Sequence, residues 1–153
     1  MKFSTNEDIE APIDEVFQMF TEFDAFERSA LRRGAEVQRT DSCRVPGVGM
    51  AWMAKFKFRG KPRVVTLDIV EYTPSEGYAV DAATPNLQGF FTLELMALSR
   101  SRTRASIAIE LKPKSLSGRL MLQTLKLGKS RVTKSFKMRV AEFAKHLEEQ
   151  RRA

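Results

Sequence analysis

The sequence predicts an α+β domain: one strand, two short helices, six further strands and a long C-terminal helix. Three observations carry this. Between about residues 51 and 111 apolar side chains recur at every second position, the period of a half-buried antiparallel strand. Before and after that stretch they recur at three- and four-residue steps, the period of a helix face. Polar, Pro- or Gly-containing breaks divide the middle stretch at hairpin spacing. At 153 residues the chain has room for one core, so residues 1–153 are read as a single domain.

Each element has its own signal. "KFSTNEDIE" reads as an opening strand and "APIDEVFQMF" as a helix, with Pro12 suited to a first turn and Asp14 and Glu15 favourable beside the helix N-terminus. Val16, Met19, Phe20 and Phe23 supply its apolar face. "DAFERSALRR" is a second helix ended by Gly34, a residue suited to the left-handed position after a helix. "AEVQRT" precedes a Pro46-Gly47 loop. "AWMAKFKFR" then sets Trp52, Ala54, Phe56 and Phe58 on one face and Met53, Lys55, Lys57 and Arg59 on the other. "VVTLDIVEY", "YAVDAA", "FFTLELMAL" and "TRASIAIEL" continue the alternation across "RGKPR", "TPSEG", "TPNLQG" and "SRSR". No internal repeat interrupts the order.

After Pro113 the stripe Met121, Leu125, Val132, Phe136, Val140, Phe143 and Leu147 marks a helix from about Ser115 to Gln150. Such a helix is roughly 50 Å long at 1.5 Å per residue, more than the width of a small domain, so a kink near Gly128 is expected. A straight helix would leave Leu116, Leu120 and Leu127 exposed opposite the stripe.

Composition narrows the function classes. Hydrophobic residues make up 42% and charged residues 29%, the values of an ordinary globular protein. The opening residues lack an apolar signal segment and no apolar run is long enough to span a bilayer, which points to a cytoplasmic protein. One cysteine, Cys43, excludes an internal disulfide, and with the single His146 it cannot build a Cys/His zinc site, so no metal and no cofactor are expected. The net charge of +7 is uneven, with acidic residues concentrated in the first strand and helices and none between Glu110 and Glu142. That excess raises anionic ligands, anionic membranes and nucleic acid together. Nucleic acid is the weakest of them, because Trp52, Phe56 and Phe58 alternate away from Lys55, Lys57 and Arg59 instead of sharing a face with them.

The order of elements resembles the helix-grip fold of the START-like, or SRPBCC, superfamily, which includes Bet v 1-like and polyketide cyclase/dehydratase-like proteins. "IEAPIDEVFQMFTEFDAFER" resembles its strand, Pro and Val-Phe helix opening, "VGMAWMAKFKFRGK" its third strand, "EYTPSEGYAV" its Pro-marked hairpin, and "RTRASIAIELKPKSL" its last strand entering the long helix. The likeness covers essentially the whole chain. It implies a curved antiparallel sheet of about seven strands wrapped around the C-terminal helix, with an apolar cavity between them. Trp52, Phe56, Phe58, Leu67, Phe91, Leu93, Ile107, Ile109, Leu125, Val132 and Phe136 are the candidate cavity residues, with plain core packing as the competing reading.

Up-and-down strands place "RGKPR", "TPNLQG", "KPKSLSG" and the start of "AEVQRT" at one end of the sheet. Arg32, Arg33, Arg59, Lys61, Arg63, Lys112, Lys114 and Arg119 gather there, beside the N-terminus of the long helix. In resembling families this end is commonly the cavity entrance. Arg39, Arg44, Arg100 and Arg102 make the other end basic too. The expectation is a binding protein for a hydrophobic or amphipathic small molecule, lipid-, polyketide- or isoprenoid-like, with an anionic head near the basic rim.

Two alternatives stand beside it. A cyclase- or dehydratase-like enzyme needs an acid/base pair in the cavity, for which Asp68, Tyr72, Tyr78, Asp81 and Glu94 are candidates. The fourth strand faces either Val65, Leu67 and Ile69 inward or Thr66, Asp68 and Tyr72, and the first set is the more apolar. His146 near the helix end and Cys43 beside Arg44 have simpler structural readings than catalysis. The second alternative is peripheral membrane association through Leu116, Leu120 and Leu127 beside Lys126, Lys129 and Arg131.

Overall fold

A computed structural model describes residues 1–58 and 60–152. In chain order the elements are β1 (Lys2–Ile9), α1 (Ile13–Phe20), α2 (Phe23–Arg32), β2 (Glu36–Arg39), β3 (Ala51–Phe58), β4 (Lys61–Thr73), β5 (Gly77–Ala83), β6 (Leu87–Ser99), β7 (Arg102–Pro113), α3 (Leu116–Leu127) and α4 (Lys129–Arg152). The seven strands form one antiparallel sheet in the order β1-β7-β6-β5-β4-β3-β2. This is the helix-grip architecture. Every β2-to-β7 connection is a hairpin between neighbours, and only β1 reaches across to pair with the last strand.

The long C-terminal helix is two helices. Gly128 closes α3 by donating its N–H to Leu125 O at 3.1 Å, its φ of −109° and ψ of 20° depart from helical values, and α4 restarts with Val132 N–H on Gly128 O. Ser115 starts α3 as a working cap, its hydroxyl accepting from Gly118 N–H at 3.1 Å. Gly118 itself lies so close to the β5–β6 turn that a Cβ there would sit 2.0 Å from Asn86 O. Glycine is what lets α3 seat on that turn.

Two details of β4 depart from the expected pattern. The strand begins at Lys61, so Lys61, Pro62 and Arg63 are ladder residues, paired with Phe58, Lys57 and Phe56. A bulge between Ile69 and Glu71 then shifts the register against β5. One inserted residue reverses the alternation that follows it. Leu67 and Ile69 face the concave side, Val70 is 38% exposed, and Tyr72 comes back to the concave side opposite Tyr78.

The core lies between the concave sheet face and the helices. Ile9, Val16, Phe17, Phe20, Ile69, Leu93, Ala105 and Leu147 are buried together, with Phe136, Val140 and Phe143 of α4 packed against them. α4 runs along β1, where Phe3 meets Phe136 at a ring separation of 6.3 Å. Thr103 is fully buried and donates its hydroxyl to Ala11 O at 2.8 Å, which satisfies the carbonyl where β1 turns into α1.

Candidate functional site

Two rows of concave side chains and one helix bound an apolar cavity. Across the ladder, Trp52 stands opposite Leu67, Leu67 opposite Ala82, Ala82 opposite Gly89, and Gly89 opposite Leu111. The next row carries Val80, Phe91 and Ile109. Because Ala82 and Gly89 fill little of the middle of the first row, a void of about 460 Å³ remains above them. α2 covers it with Phe23, Phe26, Glu27 and Ala30, spaced at three- and four-residue steps and therefore on one helix face.

The walls are aromatic and held in place. Phe23 packs on Trp52 at 5.4 Å and on Tyr78 at 5.6 Å, and Tyr78 on Phe91 at 6.0 Å. Phe143 of α4 supports the roof from behind, 5.7 Å from Phe26 and 5.0 Å from Phe20. Trp52 is clamped on both sides: its indole N–H donates to Glu27 Oε1 at 2.6 Å, and the Arg39 guanidinium lies 5.6 Å from its ring centre.

Among the described residues, Glu27, Trp52 and Tyr78 are the members of the lining that carry polar side-chain atoms. The Tyr78 hydroxyl is committed, donating to Phe20 O at 2.8 Å. Burial pushes its phenol well above the usual tyrosine value, so Tyr78 stays a neutral donor at any physiological pH. Glu27 is the one carboxylate in the lining among the described residues.

Of the expected cavity residues, Trp52, Leu67, Phe91 and Ile109 line this void. The others lie elsewhere. Leu93 and Ile107 face the same side but are buried deeper in the core. Phe56 and Phe58 sit beyond the covered rows toward the β3–β4 hairpin, and Phe58 is 51% exposed. Leu125, Val132 and Phe136 line no part of it, because α3, which carries Leu125, packs on β7, α4 follows the β1 edge, and α2 takes the covering position. Phe26, Glu27 and Ala30 are not among the expected cavity residues, and Phe23, expected on the apolar face of the first helix, opens α2 instead; the three- and four-residue spacing of these four is the signal that marks them. Among the enzyme candidates, Asp68, Asp81 and Glu94 fall on the convex face, with Asp68 opposite Asp81, while Tyr72 and Tyr78 face inward.

The ladder also fixes the two ends. Lys61, Arg63, Lys112 and Lys114 lie at the end where α2 finishes, with Arg32 and Arg33, and where α3 begins, with Arg119; Arg59 lies outside the described residues. Lys112 pairs with Glu110 at 3.3 Å and Lys114 donates to Thr84 O at 3.0 Å. Arg32, Arg33, Lys61, Arg63 and Arg119 make no ion pair with any described residue. At the opposite end Arg39 is bidentate to Asp41, and Arg102 reaches Asp8 and Glu10. Arg63 is distinctive. It shares the concave face with Val65 and Leu67, and its buried Nε has no hydrogen-bond partner among the described residues.

Asp41 organises the loop that backs Trp52. Its side chain, 7% exposed, accepts from Arg39, from Cys43 N–H at 2.8 Å and from Ala51 N–H at 2.7 Å. The Arg39 hydrogen bonds, with those backbone donors, hold its carboxyl far below the ordinary aspartate value of 3.8. Cys43 is moved the other way: burial, then Asp41, raise its thiol against the opposing charge of Arg39, which disfavours a thiolate. A carboxyl with a depressed folded-state pKa stabilises the fold above its unfolded value, and that contribution is lost as pH falls below it. Asp41→Asn is therefore expected to lower Tm at neutral pH by roughly 5 °C and to flatten the fall in Tm below about pH 4. Thermal melts from pH 3 to pH 7 on both proteins read this out.

The His146 ring contacts Gln150 at 2.9 Å on the exposed end of α4, away from the cavity. Among the described residues no group of three or more His, Cys, Asp or Glu is placed to hold a metal, and no helix is long and apolar enough to cross a membrane.

No family model and no curated relative matches the chain. Solved structures do. Norcoclaurine synthase from Thalictrum flavum aligns with a TM-score of 0.67 at 12% identity over 98% of this chain and 85% of its own. The Zhui aromatase/cyclase from Streptomyces sp. R1128 aligns at 0.62 with 13% identity over 95% and 93%. Ara h 8.0201 aligns at 0.60 with 15% identity over 98% and 96%. At such identities the likeness is one of fold, and it extends over nearly the whole chain.

Proposed function

We propose that this chain, which has the START-like, Bet v 1-like helix-grip fold, binds a hydrophobic or amphipathic small molecule between α2 and the sheet. The observation that carries the reading is the cavity of about 460 Å³ lined by Phe23, Phe26, Trp52, Leu67, Tyr78 and Phe91. That volume lies within the few-hundred to thousand cubic ångström span of small-molecule sites, and an apolar lining with a few convergent polar groups is their usual chemistry. The apolar body of a lipid-, polyketide- or isoprenoid-like ligand lies over Ala82 and Gly89. An anionic head cannot sit against Glu27, so it turns outward to Arg63, whose unpartnered Nε is a donor waiting for an acceptor.

The test begins with mass spectrometry of the purified protein under native and then denaturing conditions. A small molecule lost between the two identifies the ligand class. Titration of an anionic and a neutral long-chain fluorescent probe follows, with Arg63→Met as the variant. Removing a charge-assisted hydrogen bond is expected to weaken the anionic probe by about 10- to 100-fold and to leave the neutral one unchanged. Equal effects on both probes would count against the head assignment, and failure of either probe to bind the unaltered protein would count against the cavity reading.

A cyclase- or dehydratase-like reaction is the second reading, favoured by one observation. Glu27 is a carboxylate in an otherwise apolar chamber, within reach of whatever fills it. Both named catalysts among the similar structures, a synthase and an aromatase/cyclase, support keeping it. Turnover of a bound polyketide-like substrate that disappears in Glu27→Gln, with binding retained, would establish it over simple carriage.

A further inference from the structure

α3 is apolar on two opposite sides. Gly118 and Leu122 are buried against the body of the protein, with Leu125 half-buried beside them. Leu116, Leu120 and Leu127 follow one another at steps of four and seven, so they share the other face, and they are 72%, 55% and 91% exposed. A soluble helix normally shows polar residues there. Here three leucines project outward from the end of the sheet where the basic residues gather.

The charges around them have one sign. Arg119 and Lys126 lie along one side of the leucine row, and at the elbow made by Gly128 a surface depression is lined by Lys126, Lys129, Lys134 and Lys137. None of these cations forms an ion pair with a described residue. The sequence offers them no acidic neighbour between Glu110 and Glu142.

From the exposed Leu116–Leu120–Leu127 row and the unpaired lysines at the α3–α4 elbow, we infer that α3 docks in the plane of an anionic membrane surface. Leucines enter the headgroup–acyl boundary while the lysines meet lipid phosphates, the arrangement by which a basic amphipathic helix lies on a bilayer without crossing it. Charge selects this occupant. A second copy of the chain would bring lysine against lysine across an isologous contact. Nucleic acid would be met by aliphatic side chains that cannot stack on bases. The inference does not depend on the cavity, since the docking face and the cavity lining have no residue in common.

Flotation of the full chain with phosphatidylcholine vesicles, with and without phosphatidylglycerol, tests it. Binding is expected to the phosphatidylglycerol vesicles only and to fall as salt is raised. Leu120→Ser with Leu127→Ser changes two exposed positions, so circular dichroism is expected to be unaltered while vesicle binding drops by at least about tenfold. Lys126→Gln with Lys129→Gln is a second variant expected to weaken binding by the electrostatic route alone. Absence of binding to phosphatidylglycerol vesicles would overturn the inference. So would equal binding to both vesicle types, or binding undiminished by the leucine pair. Concentration-dependent dimerisation lost in the leucine variant, without vesicle binding, would reassign the face to a second copy.

Discussion

Ala82→Phe is expected to abolish ligand binding and leave the fold standing. Ala82 lies in the cavity floor, opposite Leu67 on one side and Gly89 on the other. Its Cβ points into the void, and the glycine next to it leaves lateral room: a Cβ at position 89 would lie an ordinary 3.5 Å from that of Ala82. A benzyl group therefore grows into empty space, where filling a void adds contacts and gives no overpacking penalty. Affinity for a long-chain probe is expected to fall by about 100-fold or more, because the ligand body and the ring compete for the same volume. Tm is expected to hold or rise slightly. If the variant binds the probe as well as the unaltered protein does, the ligand does not lie over the Leu67–Ala82–Gly89 row.

Gly77→Ala is expected to act on the fold instead. Gly77 opens β5 at φ +145°, and a Cβ there would lie 1.9 Å from Leu93 O, a backbone atom in the paired strand. The side chain of a neighbour could rotate away, but a ladder carbonyl cannot move without breaking the β5–β6 register. The conformation also disfavours any residue with a Cβ. The combined cost is about 4 kcal/mol or more, a large part of the net stability of a typical domain. A Tm lower by about 10 °C is the expected result, measured by thermal melt. A melt within a degree or two of the unaltered protein would show that the β5–β6 pairing can shift to admit a side chain.

The two positions mark how far the sequence could be read. The Trp52–Ala54 alternation and the turn residues announced the strands, because a two-residue period and a hairpin break are local properties. Choosing the apolar register placed Leu67 and Ile69 inward. What was hidden depended on long-range geometry. The bulge at Val70, which returns Tyr72 to the concave side, has no local signature in "VVTLDIVEY". Leu125 on α3 and Val132 and Phe136 on α4 carried a helical stripe that serves packing on β7 and β1 as well as it would serve a cavity, and periodicity alone does not say which surface a stripe meets. The α2 stripe of Phe23, Phe26, Glu27 and Ala30 was legible but short, and its importance follows only from where the small residues Ala82 and Gly89 leave a gap. Gly128 was readable as an interruption because an unbroken helix would have outrun the sheet.

The same sheet has two free margins, since β1 and β2 are its outermost strands and the ladder does not close on itself. Such margins invite a strand from another chain, and long apolar edges are a route to aggregates. β2 has only four residues, alternately exposed, with Glu36 and Gln38 outward, before Arg39 turns into the Asp41 loop. β1 carries Lys2, Glu7 and Asp8, and Asp8 is tied to Arg104 on the neighbouring strand. Short length on one margin and charge on the other deny a passing chain the flat template it would need. A sheet whose concave face carries an apolar cavity is thereby given margins that disfavour growth by strand addition.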